Sequence, residues 1–335
     1  MRSTKLPSWI ERALGLQAQP LPPNVFAVDG ASLRFASFRK IGGELELRAA
    51  ARHDWPEAVC ASGPLGGPVA APETLQAGIE AVRGIADEPV REAALVLPDE
   101  WMRTVFASVG ELPRGGKARD EILRWKLKQL VPFRVDELRL RGERVPALPS
   151  EDAPVRLLLG FAAEQLLTDL EAGFGAAGIR LGWISNETLA TARGRALETA
   201  GFAAGSSADQ DLRGVLLVRP RSYSLTVFDG GQPLLLRLKP VGPSLDDRVL
   251  LEMARRELVL TADFLAEQFP GRRLGGFAVL AHSGEDSWVS LIGEALGVAA
   301  RVHPPGEDAA RVLGASSLPW HELAPMVGAS EQRVA

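Results

Sequence analysis

From residue 24 onward, hydrophobic positions alternate with polar ones over short stretches, the two-residue period of half-buried strands. Phe26 and Val28 mark the first stretch and Leu33, Phe35 and Phe38 the second. Leu45 and Leu47, set between Glu44, Glu46 and Arg48 after a Gly42-Gly43 turn, mark a third. The pattern then predicts helix 73–86, strands 93–97 and 103–109, helix 117–130 and a strand at 139–145. A strand at 155–162 feeds helix 163–177, which Gly178 stops; strand 179–184 follows, and Asn186 caps a helix to about 200. The second half repeats the opening. Val215 to Val218, Ser222 to Phe228 and Pro233 to Leu238 read as three short strands, turned at Pro220 and at Gly230-Gly231. Ser244 with Asp247 resembles a cap for a long helix reaching about Gln268, with Leu250, Leu251, Ala254, Leu258, Ala262 and Leu265 at helical spacing. Strand 276–281, helix 287–296 and strand 298–302 complete the series. A three-strand meander followed by α/β units thus occurs twice, about 190 residues apart, too long a period for a solenoid.

Before this lies a short helical pattern at 6–16, with Ser8 as cap, Gly15 as stop and Trp9, Ile10, Ala13 and Leu14 on one face. Pro20, Pro22 and Pro23 link it to the first strand. Residues 56–72 are rich in Pro and Gly and read as loop. Pro146 to Pro154 reads as a second linker, and Gly201 to Gln210, small and polar, as an inter-domain link. Two similar halves facing each other leave a cleft, the usual place for a ligand.

The chain has 335 residues, enough for about two domains. Its 46% hydrophobic and 24% charged content is that of an ordinary globular protein. Lys plus Arg total 38 against 42 for Asp plus Glu, a net charge of −4, which argues against a nucleic-acid partner. The single cysteine, Cys60, excludes an internal disulfide framework and a cysteine-based zinc cluster. No apolar run nears the ~18 residues of a membrane span; the longest, Val155 to Ala163, is interrupted by Arg156. Glu11 and Arg12 break what would be a signal peptide's apolar region. The expectation is a cytoplasmic protein.

Several familiar chemistries fail on spacing. Gly110 to Lys117 lies between a strand and a helix like a phosphate loop. However, five residues rather than four separate Gly110 from Gly116, and Ala118 stands where a magnesium-binding hydroxyl is required. His53, His282, His303 and His321 form no i, i+4 pair, so no metal site is expected. There is no Gly-x-Ser-x-Gly elbow, none of the Gly-Gly pairs at 42, 66, 115, 230 and 275 forms a Gly-x-Gly-x-x-Gly, and Asp246-Asp247 complements a helix dipole without catalysis. No catalytic residue is assigned.

One segment stands apart. A helix with Ile122, Trp125 and Leu130 on or near its apolar face breaks at Val131-Pro132, and Phe133 and Val135 follow in an extended run before Asp136-Glu137. It reads either as a helix end with a hydrophobic plug or as a partner-binding edge. Here the chain resembles the PilM family, actin-like cytoplasmic proteins of type IV pilus assembly. That family has an amphipathic helix with a Trp leading into an Ile-Pro-Phe-x-x-Asp-Glu-like stretch. Trp125, Val131-Pro132-Phe133 and Asp136-Glu137 stand in those places. Leu97-Pro98, Leu112-Pro113, the turn before Ile179 and the run from Asp229-Gly230-Gly231 to Arg237 are similar too, over most of 6–328.

The resemblance implies an α/β, actin-like (duplicated ribonuclease H-like) fold with an inserted small α+β subdomain. Residues 1–23 would be a terminal helix and linker, and 24–90 a first subdomain completed by about 165–205 and 303–335. The insertion falls at 91–164 and the second half at 211–302. It implies a scaffold peripheral to the inner membrane that grips the cytoplasmic tail of a single-pass, PilN-type partner, with self-association into a ring. Trp125, Val131, Pro132, Phe133, Asp136 and Glu137 would be the partner-binding residues. Many members hold ATP with magnesium between the halves, which here would fall to Asp29, Gly30, Ser32 and Arg34.

The departures fall on that nucleotide site. The family's first phosphate hairpin reads like Asp-x-Gly-Ser-Ser-Ser-x-Lys, against Val28-Asp29-Gly30-Ala31-Ser32-Leu33-Arg34 here. Either one residue is missing after Asp29, or an ungapped match puts Ala27 at the acidic position. The second hairpin, Val218-Arg219-Pro220-Arg221, has neither acid nor glycine, and Pro220 has no N–H. His282-Ser283-Gly284 replaces a Gly-Gly. The expectation is therefore a scaffold without a cofactor rather than an enzyme. The alternatives are an actin-like ATP-binding protein and a type II secretion platform component.

Overall fold

The computed structural model describes residues 21–41, 44–60, 65–113, 116–146, 155–193, 211–229, 232–242, 246–303 and 316–331. The expected helix at 6–16 and the link at 201–210 lie outside them, as do the two Gly-Gly turns at 42 and 230.

The first half is built on a five-stranded sheet of order β3-β2-β1-β4-β8. It comprises β1 (Asn24–Val28), β2 (Ser32–Ile41), β3 (Glu44–Asp54), β4 (Glu92–Leu97) and β8 (Arg180–Asn186). β1, β2 and β3 pair antiparallel, whereas β4 adds parallel to β1 with Val25 opposite Ala94, and β8 parallel to β4. β1 and β4 are buried on both faces, which is why Val25–Val28 and Ala93–Leu97 are continuously apolar rather than alternating. On one face lie α1 (Pro72–Arg83) and α3 (Glu164–Ala176), where Phe26, Phe35 and Phe174 stack with centroids 4.8 and 4.9 Å apart. α1 stops three residues short of the expected 86 because Gly84 ends it.

The second half repeats this plan. β9 (Asp211–Arg219), β10 (Ser222–Asp229) and β11 (Gln232–Pro240) form the meander, and β12 (Arg273–Ala281) and β13 (Ala300–Val302) add parallel, in the order β11-β10-β9-β12-β13. α5 (Asp247–Gln268) and α6 (Glu285–Leu296) cover one face, packing Leu258, Trp288 and Ile292 on Leu216, Tyr223 and Val279. The cap of α5 is Asp246, whose carboxylate accepts from the Arg248 N–H, rather than the pair read from the sequence, of which Ser244 lies outside the described residues.

Between the two sheets run α4 (Glu187–Arg193) and α7 (Trp320–Glu331). Leu323, Met326 and Val327 of α7 pack on Val25, Ala27 and Val96 of the first sheet, and Ala324 packs on Leu217 and Leu280 of the second. Helix α7 escaped the sequence reading because Pro325 lies inside it and its apolar residues cover every side, leaving no helical stripe. The two helices approach so closely that a methyl group on Gly328 would lie 1.9 Å from the Ala190 carbonyl oxygen.

A third, antiparallel sheet of order β5-β7-β6 stands between β4 and α3 in the chain: β5 (Met102–Val109), β6 (Leu138–Val145) and β7 (Val155–Ala163). Helix α2 (Gly116–Leu130) covers it with Leu123 and Leu127, set against Leu157, Leu159 and Phe161. Trp125 is not on that face, as the sequence reading had it; it stands outward, 61% exposed, with Leu130 also exposed. At 100° per residue, Trp125 lies 200° from Leu123, on the far side of the helix. The sheet's other face meets the second half through Phe106, Leu158, Leu189 and Leu236.

Alanine ordinarily improves on glycine inside a helix by about 1 kcal/mol. At Gly328 the contact with Ala190 reverses the sign. Gly328→Ala is expected to destabilise by about 1–3 kcal/mol, the range for overpacking. Urea denaturation reads this directly, and a more stable variant would refute the close approach.

Candidate functional site

A cavity of about 680 Å³ opens between the halves. The β1–β2 turn enters it from the first half and the β9–β10 turn from the second. Asp29, Gly30 and Arg34 line it, and Ser32 does not.

Asp29 is wholly engaged within its own hairpin. Its Oδ1 accepts from the Ala31 and Ser32 N–H groups at 2.8 Å each, and its Oδ2 accepts from Arg34 Nη2 at 2.8 Å. The buried Ser32 hydroxyl is turned to the same carboxylate at 3.4 Å, and Trp55 Nε1 donates to the Asp29 carbonyl. This is an Asx-type turn closed by a guanidinium.

The ion pairs continue across the cleft. Glu187, at the first turn of α4, places Oε1 3.7 Å from Arg34 and Oε2 2.7 Å from Arg219 at the end of β9. One buried carboxylate therefore joins a guanidinium from each half. Arg219 also donates through Nη1 to the His321 carbonyl at 2.8 Å. That acceptor is available for a sequence reason: Pro325, four residues on in α7, has no N–H to bond it. Arg52 pairs with Glu322 in the next position of α7 and with Asp54 at 2.6 Å.

Asp99, in the β4–β5 turn, is buried where three parts of the molecule meet. It accepts from Thr188 Oγ1 at 2.5 Å and Thr188 N at 3.2 Å in α4, and from Ser224 Oγ at 2.7 Å in β10. Burial, with the Glu187 charge nearby, pushes its carboxyl up to about 7 against these hydrogen bonds. Burial together with Arg219, His282, Arg34 and Arg52 pushes His321 down to about 4, and His282 is lowered by burial first. Both histidines are neutral at pH 7, and the wall's positive charge belongs to arginine.

Glu187, Asp99, Arg52 and Glu322 were not found in the sequence, and His321 was weighed there only as a metal ligand. Each is a lone polar residue at a helix or strand end, and only folding gathers them. Among the described residues no group of three His, Cys, Asp or Glu is placed to hold a metal ion.

The expected partner segment lies outside this cavity, on the inserted sheet. Pro132, Asp136 and Glu137 are exposed, with Glu137 paired to Arg134 at 2.7 Å. Val131 and Phe133 are half-buried; the Phe133 ring meets Phe161 at 6.3 Å and carries the Arg103 guanidinium 5.2 Å above its centroid. Arg124 holds the turn to its helix by donating to the Val135 and Leu138 carbonyls.

Asp99 sets a pH dependence. Between the unfolded value of 3.8 and about 7, the folded protein keeps a proton that the unfolded chain has released. Its contribution therefore declines as pH rises through that window and levels off above it. Asp99→Asn removes the titration while keeping the shape. Relative to wild type, the variant is expected to gain roughly a few kcal/mol between pH 4.5 and 8, at ~1.4 kcal/mol per pH unit. Denaturation curves at both pH values measure it, and a difference that stays constant would contradict the assignment.

No protein-family model matches the chain, and no curated protein matches it in sequence. Solved structures do. PilM in a PilM–PilN type IV pilus biogenesis complex superposes with a TM-score of 0.71 at 18% identity, over 92% of this chain and 96% of that one. A Bacteroides thetaiotaomicron protein with an actin-like ATPase fold gives 0.50 at 11%, over 88% and 95%. The cytoplasmic domain of EpsL, an inner-membrane component of the Vibrio cholerae type II secretion system, gives 0.46 at 10%, over 88% and 95%. The duplicated five-stranded sheets, the two helices between them and the inserted three-stranded sheet are an actin-like fold, in the form that PilM has.

Proposed function

We propose that this protein is a PilM-type scaffold of an inner-membrane pilus assembly platform, holding the cytoplasmic tail of a single-pass membrane partner of the PilN kind. The supporting observation is the closeness of the likeness to the PilM–PilN structure: a TM-score of 0.71 over nearly the whole of both chains, against 0.50 for another actin-like protein covered almost as fully. No described helix is long and apolar enough to cross a membrane, so attachment through such a partner fits.

The inserted sheet is the docking element in this reading. Trp125 presents a large exposed aromatic surface, with Lys128 one turn on along the same helix face. An exposed tryptophan is the residue type that most often anchors an interface. Val131 and Phe133 support the segment from below, and Arg124 fixes its path, so the surface is preorganised for a short tail. Self-association into a ring belongs to the same proposal.

The half-buried Phe133 makes Phe133→Asp a poor probe, since it would disturb the packing on Phe161. Trp125→Ala is the cleaner one. Affinity capture from detergent-solubilised membranes is expected to recover a small single-pass membrane protein with the wild type. Trp125→Ala should reduce that recovery at least about tenfold, the cost of losing a hot-spot side chain. The melting temperature of the variant should not change. Recovery undiminished by Trp125→Ala would remove this face from the interface, and recovery of no membrane protein would remove the scaffold reading.

A further inference from the structure

We propose that two copies of this chain pair through the outer face of α5, antiparallel about a two-fold axis near residue 254. The inference goes beyond the scaffold reading and does not depend on it.

Eight large hydrophobic side chains are exposed among the described residues, and four of them (Val249, Met253, Val259 and Leu260) stand on this one helix. Ala254, Leu258, Thr261 and Leu265 are buried, so the inner side of α5 is already taken by its own sheet. At 100° per residue, Val249, Met253 and Leu260 fall within about 40° of one another, with Leu258 on the opposite side. With Arg256 between them they follow at four, three and four residues, the spacing of a seam that packs against a second helix. Exposed apolar residues scattered singly need no partner, whereas a contiguous stripe marks a contact with another molecule.

The charges beside the seam decide the occupant. Arg248, Glu252, Arg256 and Asp263 are all exposed on the outer side, so the sign alternates along the helix and sums to zero. A helix that lies on a membrane carries an excess of Lys and Arg on its polar face, which this one lacks. An alternating series does match its own reverse. With the axis near residue 254, Val249 of one copy lies over Val259 and Leu260 of the other, and Met253 over the aliphatic stem of Arg256. Glu252 meets Arg256 of the second copy, and Arg248 comes within reach of its Asp263. Each contact occurs twice, as a two-fold interface requires. Within one chain Glu252 and Arg256 already stand 3.3 Å apart with both side chains more than half exposed, so the pair is in place to be shared. Arg255, on the flank, is held off the seam by Glu294 of α6 at 2.5 Å. Three turns of one helix bury less than the ~1,200 Å² of a standard interface, so the pair is weak and forms with rising concentration.

The test is sedimentation equilibrium of the full chain from about 1 to 500 µM, the range in which weak interfaces fill. The mass is expected to rise from one chain towards two and to stop there, because a two-fold contact closes. Leu260→Lys, at an exposed position, should leave the melting temperature unchanged and raise the dissociation constant at least about tenfold. Glu252→Arg alone and Arg256→Glu alone should each weaken pairing through like charges. An equal mixture of these two variants should pair again, since every contact between them then joins opposite charges. A role confined to one chain gives no such rescue. A single-chain mass throughout the range would overturn the proposal and give the stripe to a different partner. Masses climbing past two chains, or a pair that neither Leu260→Lys nor the single charge changes weaken, would overturn it as well.

Discussion

The Glu187 carboxylate is the point on which the two halves are joined. It lies buried at the start of a helix between the sheets, with one guanidinium from each half on its two oxygens. A buried carboxylate so placed is tolerable only because both partners are present. Removing one partner of such a pair leaves the others charged and desolvated, at about 3–5 kcal/mol. Everything around it reinforces the closed arrangement. Arg219 reaches on to the His321 carbonyl, Arg34 to Asp29, and Arg52 to Glu322. Asp99 ties the inserted element to the same seam through Thr188 and Ser224. The orientation of the halves is written into side chains.

The same seam gives the two turns that face the cavity quite different side chains. The two meanders have the same strand order and both present a turn to the cavity. In the first turn the acid is folded back on its own backbone and on Arg34; in the second, two arginines flank a proline. The backbone symmetry is kept while the side chains at the turns form a clasp across the cleft.

Much of this architecture was legible in the pattern of residues. Strands such as β1, β4, β9 and β12 announce themselves as short apolar runs, and the three-strand meander followed by α/β units is visible twice along the chain. Helix α7 was not legible, because Pro325 argues against a helix and an element buried on all sides shows no period. Trp125 was grouped with Ile122, three residues before it, and with Leu130, whereas the helix packs through Leu123 and Leu127 and Trp125 stands opposite them. At the site, Asp29 and Arg34 could be read from the turn they share. Glu187, Asp99 and Glu322 could not: each is an unremarkable acid in sequence, and its significance comes from partners brought in from distant parts of the chain. Pro325 and Arg219 form one arrangement over a hundred residues apart, and neither signals the other.

The helix that fills the seam has a further effect on how the molecule is made. Val25, Ala27, Ala94 and Val96 of the first sheet are covered by Leu323, Met326 and Val327, which are synthesised after the whole second half. At translation rates of ~5–20 residues per second, that apolar face waits on the order of ten seconds or more for its cover. The first half therefore emerges from the ribosome with one apolar face uncovered. The second half, like the first, has a helix pair on one face, but its Leu217 and Leu280 wait only about forty residues of synthesis past β12 for Ala324 of the same helix. Two halves of one architecture thus differ in the order and speed with which they mature.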